Sequence, residues 1–172
     1  MTYLNQLVAH KPVSSMRKNH ALEHASLHIL ARRYPGVYLA GLSDARGFRI
    51  FGNVSTEDIQ QSVDEALSRL QRGERTLAYH PNCGTNFATT GTLAGLTAWL
   101  GMLETGRSPR ARFNRLPLVM LLVTLVIILT RPLGPYLQRN VTTDPNPAHL
   151  HIVEIKRHDF GNFVLHRVVT RQ

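Results

Sequence analysis

Two stretches without a single Asp, Glu, Lys or Arg, residues 84–103 and 116–130, interrupt a chain that is otherwise polar and alternating. A charge-free run of ~20 residues is long enough to enter a bilayer as a helix. The sequence therefore divides into a polar domain of residues 1–83, an apolar centre of residues 84–137 and a basic tail of residues 138–172. The two stretches differ in kind. The first is rich in small and hydroxylated residues, and Gly91 and Gly95, like Thr85 and Thr89, stand four apart, which favours close helix packing. The second, Leu116 to Thr130, is aliphatic and extends through Pro132 toward Tyr136, with Arg131 at its edge. Together they predict a two-helix transmembrane hairpin. For the first stretch, a buried helix of a soluble core is the competing reading.

The formal charge of +9 comes mostly from arginine. Arg107, Arg110, Arg112 and Arg115 fall between the apolar stretches, and Arg131 and Arg139 follow them. Basic residues crowded at the ends of apolar helices point to an anionic lipid surface rather than to nucleic acid. The expected partner is the lipid bilayer, with other membrane subunits beside it and no nucleic acid. The one cysteine, Cys83, precludes an intrachain disulfide and fits a reducing compartment. No basic n-region leads into a long apolar stretch at the start, so no cleavable signal is expected and the N-terminal domain reads as cytoplasmic.

Residues 1–13 read as a lead-in, with Pro12 as a break. Ser14 or Ser15 then caps a helix running to about Arg33, and Tyr34-Pro35-Gly36 ends it. Val37–Leu42 and Gly47–Phe51 read as a β-hairpin around Asp44 and Gly47. Ser55, with Asp58 three residues on, caps a second helix in which Ile59, Val63, Ala66, Leu67 and Leu70 recur at helical spacing before Gly73. After a linker at Asp144–Pro147, His149–Lys156 and Phe163–Thr170 read as two further strands, either joining the first sheet or lying on a lipid surface. The expected fold class is α+β: a helix–β-hairpin–helix domain, a C-terminal β-hairpin and the transmembrane hairpin.

The chemistry lies in His20-Ala21-Leu22-Glu23-His24. His20 and His24 stand one helical turn apart, so both imidazoles leave one face, as two ligands of a transition metal must. Glu23 beside them can activate water or orient a ligand. The pattern is the inverted form of the zincin motif. A second donor cluster, His80-Pro81-Asn82-Cys83-Gly84, can curl around the same ion, its glycine letting the backbone turn tightly. If His80 and Cys83 both join His20 and His24, the site is four-coordinate and structural. With only one of them, a position stays open for water and Glu23 becomes a general base. His28 continues the stripe as a neighbour rather than a ligand. His149 and His151 suit a solvated strand face.

His20-x-x-Glu23-His24 followed by His80-Pro81-x-Cys83-Gly84-Thr85 resembles the YqhQ-like family of predicted metal-dependent bacterial membrane proteins. The likeness covers roughly the first hundred residues. The chain departs from the family at Asn82, where it has arginine, and carries a hairpin–helix unit between the motifs and fewer membrane segments. The resemblance implies a metal dependence and a multi-pass protein of a bacterial inner membrane. The donor residues suggest zinc or a similar divalent transition metal. Both termini are expected in the cytoplasm because that requires no translocation of the N-terminal domain. Two functions are expected. One is a metal-dependent hydrolase with Glu23 as the catalytic base and His20, His24, His80 and Cys83 as metal ligands. The other is a non-catalytic subunit or assembly factor of a membrane complex, in which the metal is structural. A basic peripheral protein without metal is the third reading.

Overall fold

The computed structural model describes residues 10–172 except 104, 107 and 162. The chain forms two compact units, one made by the chain up to His80 together with Arg139–Gln172, the other by Pro81–Gln138.

The first unit is built from helix α1 (Lys11–Arg33), strands β1 (Ala40–Asp44) and β2 (Gly47–Phe51), helix α2 (Thr56–Gln71), a 3-10 turn (Arg75–Ala78), and strands β3 (His151–Phe160) and β4 (Phe163–Arg171). Helix α1 starts earlier than Ser14, with His10 at its N-cap position and Pro12 in its first turn. Proline's fixed φ and missing N–H cost nothing there, so Pro12 opens the helix instead of breaking the chain before it. Arg32 and Arg33 in the last turn complement the carbonyl end of its dipole. In α2 the Ser55 oxygen accepts from the Asp58 N–H at 3.1 Å, the expected cap, and Glu57 and Asp58 occupy the first turn. Gly73, at φ +90°, supplies the left-handed residue that ends it.

The strands form one antiparallel sheet in the order β1-β2-β4-β3. The C-terminal hairpin thus joins the first sheet, with β4 beside β2. Its strands run to the tip, where Phe160 pairs with Phe163, and are longer than the sequence suggested. One sheet face buries Phe48, Ile50 and Val168 against Leu22, Ala25 and Leu30 of α1 and Ile59, Val63 and Ala66 of α2. Period-two burial in β2 and β4 meets period-3.6 burial in α2, while α1 is buried on more than one side, with residues 21–27 all covered. The buried side chain of Asn19 ties α1 to the sheet: its Nδ2 donates to the Asp44 carbonyl at 2.9 Å, and its Oδ1 accepts from the Thr170 hydroxyl at 2.6 Å.

The second unit contains helices α3 (Gly84–Met102), α4 (Pro109–Leu129) and the short α5 (Leu133–Leu137). Helices α3 and α4 pack on one another. A Cβ on Gly101 would lie 3.0 Å from Val119, and Arg115 Nε donates to the Gly101 carbonyl at 3.1 Å. Helix α4 starts before Leu116, at Pro109, and takes in Arg110, Arg112 and Arg115 with Pro117 inside it. Among the described residues α4 is the one helix long and apolar enough to cross a membrane. Both helices of the predicted pair form, but only α4 has the length and apolarity of a membrane-spanning helix, because the threonines, glycines and Asn86 of α3 lower its apolarity.

Candidate metal centre

His20, His24 and His28 follow one another at single-turn intervals on α1, and His80 comes to them from beyond the 3-10 turn. Ring centroids are 4.2 Å apart for His20–His24, 5.7 Å for His24–His80 and 4.7 Å for His28–His80. Such crowding is imposed by the backbone on either side. The Ala78 carbonyl, closing the 3-10 turn, lies 2.7 Å from His24 Nδ1, and the Thr142 carbonyl lies 3.0 Å from His20 Nδ1. Arg17 keeps the segment carrying Thr142 on α1, donating to the Thr143 carbonyl at 3.1 Å and the Asn140 carbonyl at 3.4 Å. The Asp144 N–H returns a bond to the Arg17 carbonyl at 3.1 Å.

These two carbonyls settle the tautomers. A carbonyl oxygen only accepts, so Nδ1 of each ring must carry the hydrogen, and each neutral ring bears its lone pair at Nε2. A histidine that ligates a metal has this same pattern, with its other ring N–H tied to a carbonyl or carboxylate. His28 has the opposite polarity: its Nε2 bonds the Tyr79 carbonyl at 2.9 Å.

Cys83 is buried at the N-cap of α3, where its sulfur accepts from the Thr85 N–H at 3.4 Å. A helix N-terminus favours the thiolate over the thiol, and the thiolate is the form that binds metal. Cys83 lies in the second unit, three residues beyond His80, where the first unit breaks off. His80 sits against the rings of His28 and His24. His149 and His151 are exposed on the C-terminal segment, where His151 Nδ1 bonds the His149 carbonyl at 3.2 Å.

Glu23 is only 4 % exposed. The Ser43 hydroxyl of β1 donates to its Oε2, and Gly41, two residues before Ser43, leaves room for the carboxylate, since a Cβ there would collide with it. Inspection of side chains in the sequence misses these supports, together with the Ala78 and Thr142 carbonyls. One signal was present: a glycine inside a strand marks close approach by another group, and Gly41 is such a residue.

Residues 15–155 match the family described as a domain of unknown function, DUF6391. The chain is also 34 % identical over 154 residues to an uncharacterised protein of the cyanobacterium Picosynechococcus sp., a match covering 82 % of this chain and 71 % of that protein. The chain belongs to the DUF6391 family. No solved structure matches it. Neither match confirms the YqhQ-like family or its motifs.

Proposed function

We propose that this chain is a membrane-attached metalloprotein in which His20 and His24, through Nε2, and Cys83, through its thiolate, hold zinc or a similar divalent transition metal. The observation carrying this reading is the pair of Nδ1–H bonds to backbone carbonyls, which turns both neighbouring rings into acceptors of the same polarity. Two imidazoles and one thiolate form a donor set suited to zinc. Three protein donors leave a coordination position open, the arrangement of catalytic rather than structural sites. Such a cation, when bound, supplies Lewis acidity toward a substrate oxygen. The reaction class that follows is metal-dependent hydrolysis, with Glu23, oriented by Ser43, as the base.

A second reading has its own support. Glu23 is held to β1 by Ser43 and cradled at Gly41, so a purely structural carboxylate is equally consistent with its position. The cation would then stiffen α1 inside a non-catalytic subunit of a membrane complex. Attachment to the membrane rests on α4 and, in its finer form, on α3 and α4 together as a transmembrane hairpin.

Metal analysis of the detergent-purified full chain tests the centre. We expect about one equivalent of metal in the wild type and loss of it in His24→Ala, His20→Ala and Cys83→Ser. A metal-free wild type, or variants that keep metal, would remove the proposal. Glu23→Gln separates the two readings. With metal retained, loss of hydrolysis toward simple ester and phosphoester probes supports catalysis, and unchanged hydrolysis removes Glu23 as base.

A further inference from the structure

The sheet constrains how this chain can meet a membrane. Strand β2 precedes the second unit in sequence and β4 follows it, yet the two pair residue by residue, with Phe48 opposite Val168 and Ile50 opposite His166. All four of those side chains are buried. A bilayer cannot pass between paired strands, so residues 81–138 leave the first unit and return to it on the same face of any membrane. The insert crosses an even number of times or not at all. A lone crossing by α4, the one helix that is apolar enough, is therefore excluded by strand pairing.

The side chains of the insert decide between two crossings and none. Helix α3 has no buried residue among those described and α4 only Val119, so apolar groups face outward all round the pair. Phe87, Trp99, Phe113, Met120 and Leu129 are each more than 60 % exposed. A helix pair lying at an interface keeps one polar face; a helix that is apolar all round needs an apolar solvent on every side. Part of the shortfall of α3 in apolarity comes from two hydroxyls that are already satisfied. Thr89 and Thr97 in α3 donate to the carbonyls of Thr85 and Leu93, as Thr124 and Thr130 in and after α4 donate to Met120 and Val126. Hydropathy scales count such a threonine as polar, although its hydroxyl makes no demand on the surroundings. The 19 residues of α3 rise ~28 Å against a hydrocarbon core of ~30 Å. The uncharged part of α4, residues 116–129, rises ~21 Å, with Arg112 and Arg115 reaching along the helix to the interface to complete the span. The turn between the helices is framed by Trp99 and by Arg110, Arg112 and Arg115; the other end has Arg131 and Tyr136. Aromatic and basic residues at both ends mark two interfaces.

We propose that α3 and α4 cross the bilayer as a pair, with lipid acyl chains covering both, so that the whole histidine-bearing unit lies on one face and the arginine-rich turn on the other. This rests on the membrane reading above and adds the parity and the placement of the turn.

The native lysines supply the test. Lys11 and Lys18 precede the insert and Lys156 follows it, and the insert itself has no lysine. Sealed membrane vesicles of each orientation, carrying the full chain, are treated with a membrane-impermeant amine reagent and the labelled sites are read by mass spectrometry. Lys18 and Lys156 are expected to label from the same face and to be protected from the other. The amine introduced by Gly106→Lys, at a position with open space for a side chain, is expected to label only from the opposite face. Lys18 and Lys156 on opposite faces would overturn the parity, and this arm needs no variant. The introduced amine labelling together with Lys18 would overturn the double crossing. Release of the protein from membranes by alkaline carbonate is a separate outcome, and it would overturn membrane attachment itself.

Discussion

The two units use apolar side chains in opposite ways. In the histidine-bearing unit Leu22, Phe48 and Ile50 are fully buried. The two strand residues lie on either side of half-buried Arg49, and Leu22 lies within a helix that is covered on more than one side. In the insert, Phe113, Met120 and Leu129 are displayed, with no polar face to oppose them. Apolar content alone therefore says little about where a residue ends up; the period at which polar residues interrupt it says much more. This contrast can be broken most directly by truncation. Phe48→Ala should cost about 3–5 kcal/mol, the range for deleting a buried aromatic ring. Met120→Ala should change stability by no more than about 0.5 kcal/mol in detergent, as at any site without a packed surround. Thermal unfolding of both variants in the same micelles is the measurement, and comparable losses would show that the insert has a core of its own.

A second, smaller effect sharpens the picture inside the first unit, where burial has to accommodate a charge. Glu23 lies among apolar neighbours of α1 and depends on the Ser43 hydroxyl. Ser43→Ala leaves a buried carboxylate without that donor and should cost about 1–3 kcal/mol. Gly41→Ala would ordinarily favour a strand, by removing conformational freedom from the unfolded chain. Here it should destabilise, because the new methyl occupies the space of the carboxylate. A stabilised Gly41→Ala protein would mean that Glu23 turns elsewhere in solution.

Much of this architecture was legible in the residues. The alternation in Gly47–Phe51, the Ser55 cap with its acidic first turn, and the histidine spacing on α1 each report a local rule that tertiary packing did not override. What stayed hidden involved backbone atoms or distant partners. The carbonyls of Ala78 and Thr142 carry no side-chain signature, so the ring polarity of His20 and His24 could not be read from composition. The placement of β4 beside β2 joins residues more than a hundred positions apart, and no periodicity encodes that. Arg110, Arg112 and Arg115 concealed the first turns of α4, since charge ends an apolar run without ending a helix; arginine is a good helix former. In α3, Thr89 and Thr97 looked polar because their back-bonds to the helix are a property of the folded chain.

The smallest expected effect concerns the other buried histidine of the first unit. His166 on β4 is fully buried, lies opposite Arg157 in the register, and its Nε2 is 3.2 Å from the Thr56 hydroxyl at the start of α2. Burial holds its pKa below the usual value and the Arg157 charge adds to that, while Asp159 and Glu57 pull the other way. The fold thus accepts neutral imidazole. An unfolded histidine takes up a proton below about pH 6.5, so below that value the unfolded chain binds more protons than the folded one, and stability falls as pH falls. One such group contributes at most about 1.4 kcal/mol per pH unit to that slope. His166→Leu keeps an apolar side chain of similar bulk and removes the titration. Its unfolding free energy should decline less steeply than that of the wild type between about pH 7 and pH 5, with the histidines of the candidate metal centre contributing equally to both proteins. Parallel acid limbs would show that His166 is protonated within the fold, which would require the carboxylates of Glu57 and Asp159 to outweigh both its burial and the neighbouring guanidinium.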